Sequence, residues 1–96
     1  MIEIDNKTYA EIARLLRDEI GDADYFNGSI DYDTDEFYST LTTTSIIFRT
    51  ETHCPDGVFR PITDVIPLWW EFTTTQATGE TLNDFSFSEL KPYLLD

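Results

Sequence analysis

Positive charge is what this sequence most lacks. Six lysines and arginines stand against 19 aspartates and glutamates, a net charge of −13 over 96 residues. A surface of that sign repels phosphate, so neither direct nucleic-acid binding nor attachment to anionic lipid is expected, and basic proteins or cations are the natural partners. Cysteine is nearly absent. Cys54 is alone, which excludes an intramolecular disulfide, and with His53 the only histidine a zinc site of the usual Cys and His composition is excluded within one chain. The four glycines lie far apart at 21, 28, 57 and 79, so no glycine-rich loop can cradle a phosphate. There is no serine nucleophile elbow and no His-based metal motif. Long apolar runs are missing as well: the longest, residues 65–70, is far shorter than a bilayer span. Residues 1–5 show no basic segment leading into an apolar stretch, so no signal peptide is read and a reducing cytoplasm is the expected location. No cofactor is expected.

What the chain does have is apolar mass. Hydrophobic residues make up 41% and aromatics 15%, too much for a disordered acidic chain. The length matches one ordinary domain, so residues 1–96 are expected to share a single core. Tyr9, Ile12, Ala13, Leu16 and Ile20 recur at three- and four-residue steps and predict a helix over 8–20. Thr8 with Glu11 has the spacing of a capping box, and Gly21 is placed to end the helix. Ile2 and Ile4 alternate with Glu3 as in a short edge strand.

From Phe26 onward the pattern changes to strict alternation. Phe26, Gly28, Ile30 and Tyr32 share one face of a strand and Asp31, Asp33 and Asp35 the other. Residues 37–52 are rich in β-favouring side chains, and their apolar parity is read as switching between Leu41 and Ile46, which predicts a bend near 43–45. Residues 53–57 have the chemistry of a turn. In 62–75, Ile66, Leu68, Trp70 and Phe72 are assigned to the core face, and Val65, Pro67, Trp69, Glu71 and Thr73 to the other. Phe85 and Phe87 then lead to a short terminal helix, with Ser88 as its expected cap and Pro92 in its first turn. The fold class that follows is α+β: an N-terminal helix on a three- to four-stranded antiparallel meander, with a short C-terminal helix or strand.

Two features suggest binding. Between Arg17 and Arg49 the chain carries eight carboxylates and no cation, and within this stretch Asp31, Asp33 and Asp35 have the D-x-D-x-D spacing that opens a calcium loop. Glu36 stands where that motif needs glycine and Thr42 where it needs glutamate. On a strand, neighbouring carboxylates of one face are about 7 Å apart, so a solvated strand face is the preferred reading. Asp31, Asp33, Asp35 and Glu36 remain candidates for contact with a basic partner. Trp69 is the second feature, with Val65 and Pro67 beside it: an aromatic on a polar face is a common interface element, unless the tail around Phe85, Phe87 and Leu90 folds over it. His53 beside Cys54 resembles a nucleophile and base only on paper, since adjacent side chains rarely converge. No motif assigns an activity. The expectation is a small non-catalytic interaction module, with a homodimer through the Trp69 face as one concrete form. The alternative is an acidic decoy, a nucleic-acid mimic that occupies a basic protein.

Overall fold

A computed structural model describes residues 1–96. Helix α1 (Asn6–Ile20) begins two residues before the expected 8–20 span, because the cap is Asp5: its carboxylate accepts the Thr8 N–H at 2.8 Å. Thr8 is therefore inside the first turn, and Glu11 pairs with Arg14 at 3.2 Å instead of closing a capping box. Gly21 ends the helix at φ 56° and ψ −125°, its N–H returning to the Arg17 carbonyl. A side chain there would be strained by the backbone alone.

The main sheet has four strands in the order β1-β2-β5-β6, all antiparallel: β1 (Tyr25–Asp33), β2 (Tyr38–Arg49), β5 (Ile62–Gln76) and β6 (Gly79–Thr81). Between β2 and β5 the chain leaves the sheet as a separate hairpin, β3 (Thr52–Cys54) and β4 (Gly57–Phe59). Helix α2 (Phe87–Leu94) follows β6. Its preceding residue is Ser86, not Ser88, and Pro92 lies in its interior, where the missing N–H deprives the carbonyl of Ser88, an exposed residue, of its helical donor. Ile2 and Ile4 form no strand of their own. Ile2 makes one parallel bridge to Asn83, and the Ile4 N–H donates to Asp84 at 2.7 Å.

Both helices pack on the same face of the sheet. The apolar stripe of α1 (Tyr9, Ile12, Ala13, Leu16, Ile20) meets Ile30 of β1, Leu41 and Ile47 of β2, Val65 and Phe72 of β5, and Leu90 and Leu94 of α2 in one buried cluster. Phe85 links the layers: its ring stacks on Phe72 at 4.1 Å and lies 5.4 Å from both Tyr9 and Trp70. Arg49, nine-tenths buried, ties the end of α1 to the sheet by donating to the Gly21 carbonyl at 2.7 Å and the Arg60 carbonyl at 3.0 Å.

The predicted bend near 43–45 exists at that register, but on the other strand. In β2, Ser39, Leu41, Thr43, Ser45 and Ile47 face the core without interruption. The pairing steps from Thr44 with Trp69 to Ser45 with Pro67, so Leu68 is an extra residue, a bulge in β5. This overturns the common core face assigned to Ile66, Leu68, Trp70 and Phe72. Phe72 is buried and Trp70 leans on Phe85 and Phe87, whereas Ile66 faces outward and Leu68 is 61% exposed. No helix is long and apolar enough to cross a membrane.

Candidate functional site

With both helices on one side, the other face of the sheet is uncovered. The registers of β1, β2 and β5 build it in cross-strand rows. Tyr25, Ile46 and Ile66 form an apolar row, with Phe48 two residues beyond Ile46. The next row is Asn27, Thr44 and Trp69, followed by Ser29, Thr42 and Glu71, then Asp31, Thr40 and Thr73, and finally Asp33, Tyr38 and Thr75. The face therefore grades from apolar and aromatic at one end, through hydroxyls, to carboxylates at the other.

The hydroxyl zone is held by its own cross-strand bonds. Thr44 Oγ1 donates to Asn27 Oδ1 at 2.9 Å, Ser29 and Thr42 share a hydrogen bond at 2.8 Å, and Thr40 Oγ1 donates to Asp31 at 2.7 Å. These links fix the outward rotamers of β1 and β2, and opposed polar pairs of this kind stabilise a sheet. The apolar end has no such cover. Tyr25, Phe48, Leu68 and Trp69 are each about half exposed or more, and Ile66 is exposed at 37%.

Trp69 projects outward, as its side of the strand requires. Val65 and Pro67 do not accompany it: Val65 is fully buried, and Pro67 faces the helices beside Trp70, Phe87 and Lys91. The bulge at Leu68 is the reason, because it lets Val65 and Pro67 share a parity with Trp69 in number while pointing to the opposite side in space. The tail does not cover Trp69 either. Phe85 and Phe87 reach the neighbouring ring, Trp70, at 5.4 and 6.4 Å.

Asp31 and Asp33 stand on the outer face as expected, and Asp35 and Glu36 belong to the turn into β2. The eight carboxylates of 18–36 do not make one surface. Asp18 and Glu19 ride on α1, on the far side of the molecule from Asp31, and Asp24 is tied to Arg49 and Arg60 at 3.6 and 3.3 Å. Nowhere do three or more His, Cys, Asp or Glu side chains converge as a metal site would need. His53 and Cys54 are consecutive on β3, so they point to opposite sides of an exposed hairpin.

Glu71 and Thr73 share the outer face with Trp69 as expected, whereas Tyr25, Ile46, Phe48 and Ile66 are members of this face that residue-by-residue reading missed. The signal was available in β2: an uninterrupted alternation of 40, 42, 44, 46 and 48 puts Ile46 and Phe48 outward with the threonines. Their apolar character argued for a parity switch instead. No protein-family model matches the chain, and comparison with curated proteins and with solved structures gives no significant match.

Proposed function

We propose that this chain is a non-catalytic interaction module whose docking surface is the open sheet face around Trp69. One observation supports it most: a row of Tyr25, Ile46 and Ile66, flanked by Phe48 and Trp69, has no cover from any part of the chain. Apolar and aromatic groups gathered on one face are characteristic of partner sites, and leaving them in water costs solubility that a docking role would explain. The hydrogen-bonded hydroxyl zone beside them presents a rigid, pre-formed surface, which lowers the ordering cost of binding.

The test is a pair of surface variants, Trp69→Ser and Ile66→Thr, each checked for native circular dichroism. A partner captured by the unaltered chain and then reconstituted from purified protein should be lost with either variant. Retention of that partner by both would remove this face from the function. Release of the partner by DNA, with Asp31→Asn and Asp33→Asn decisive and Trp69→Ser silent, would favour the acidic decoy instead.

A further inference from the structure

Building on the reading of this face as a docking surface, we infer that its occupant is a segment of another protein carrying arginines or lysines between apolar side chains, not a second copy of this chain. Along the five rows the outward side chains include Asp31, Asp33 and Glu71 and no Lys, Arg or His. A second copy would bring the same carboxylates to them. Five of its own six cations are already engaged at home, Arg14 with Glu11 and Asp18, Arg17 with Asp96, Arg49 and Arg60 with Asp24, and Lys91 with Asp64, and the sixth, Lys7, lies in the first turn of α1 on the helix side of the sheet. Two chains of −13 each meeting through a face without a single cation is a like-charge juxtaposition, which opposes association. A cationic segment gains where the copy loses.

The local chemistry fits a guanidinium in particular. Indole is the best aromatic surface for a cation, and the Trp69 ring is 51% exposed. Glu71 follows on the same face, about 7 Å along the strand, so a guanidinium lying on the ring has a carboxylate within reach. Apolar neighbours of that arginine would rest on Tyr25, Ile46 and Ile66, one row away. A second cation would meet Asp31 and Asp33 at the opposite end. The face runs about 26 Å from Tyr25 to Asp33, the length of a nine-residue extended segment.

Calorimetry with three synthetic peptides of equal length tests this: one alternating arginine with leucine, one alternating glutamate with leucine, and an oligolysine. Sedimentation of the chain alone over a range of concentrations accompanies it. The arginine–leucine peptide should bind, weaken with added salt, and lose about tenfold or more in affinity with Trp69→Ser. Glu71→Gln and the Asp31→Asn, Asp33→Asn pair should each weaken it several-fold. Equal binding of the oligolysine, or arginine–leucine binding indifferent to Trp69→Ser, would show attraction to general negative charge and overturn the inference. Self-association abolished by Trp69→Ser, or preference for the glutamate–leucine peptide, would also overturn it while leaving the face as a docking surface. If the chain binds none of the peptides and stays monomeric, the docking surface falls with it.

Discussion

A hydroxyl buried beneath a sheet must find a partner, and Thr43 and Ser45 solve this together. Thr43 Oγ1 donates to the Trp69 carbonyl at 2.8 Å, so the 2.8 Å contact between the two hydroxyls has Ser45 as donor and Thr43 as acceptor. The chain of bonds ends at the bulge and helps to hold it. Thr43→Val keeps the shape but strands both Ser45 and the Trp69 carbonyl, at a cost of about 1–3 kcal/mol in urea denaturation. Adding Ser45→Ala should then cost less than it does alone, because the group it removes has already lost its partner; strictly additive losses would mean the bonds are independent. The two tryptophans should separate in the same assay. Trp70→Ala removes the ring that meets Phe85 and Phe87 and should destabilise by about 1–3 kcal/mol, whereas Trp69→Ala should stay within about 0.5 kcal/mol. The reverse order would place Trp69 against the core.

Helix α1 is the element most exposed to a single deletion. Leu16, 1% exposed, lies in the middle of its buried stripe, and Leu16→Ala should cost about 2–5 kcal/mol; a loss inside measurement error would detach the helix from the sheet. The helix was also the most legible element, because five apolar residues at helical spacing admit one face and Gly21 admits one end. β1 was legible for the same kind of reason, its aspartates and apolar residues alternating cleanly. β5 was not. Its apolar side chains continue on even positions from Ile66 through Phe72, and nothing local marks Leu68 as the unpaired residue, since a bulge is a property of two strands in register. The open face was hidden with it. Its Trp69 and aspartates were visible singly, but the row of Tyr25, Ile46 and Ile66 joins residues from three strands and exists only once the register is set.

At the scale of the whole molecule, stability should fall away at both ends of the pH range. Hydrogen bonds from Thr8 hold the Asp5 carboxyl below the ordinary value of 3.8, and a hydrogen bond from Lys91 does the same for Asp64, closing α2 onto β5. Both groups bind protons more readily unfolded, so their contribution is present above pH 3.8 and disappears as pH falls through the lower folded values. Burial pushes the Tyr9 phenol above its ordinary 10.0, outweighing the Ser86 N–H that donates to it at 3.1 Å. Its contribution is complete below pH 10.0 and is lost as pH rises through the folded value. Melting temperature against pH should show both limbs, and Asp64→Asn should flatten the acid one; an unchanged acid limb would mean the Lys91 pair does not hold α2.

The molecule is also long, 54 × 24 × 18 Å, with a radius of gyration of 14.8 Å against about 12–13 Å for a compact chain of this size. Residues 50–60, the β3–β4 hairpin and its approaches, are all exposed and contribute nothing to the core. Arg49 and Ile62 are already register partners across its base, so a short turn could join them directly. Such a truncation forfeits the Arg60 pair with Asp24, a surface contact worth at most ~1 kcal/mol, and the hydrogen bond from Arg49 to the Arg60 carbonyl, worth about 1 kcal/mol, and should lower the melting temperature by no more than about 8–16 °C. A larger drop would show that the hairpin braces the sheet. Seen as heredity, the hairpin is the stretch where selection for folding is weakest: related chains should differ in length here first, and foreign sequence inserted at its tip should be tolerated where the same insertion in β2 is not.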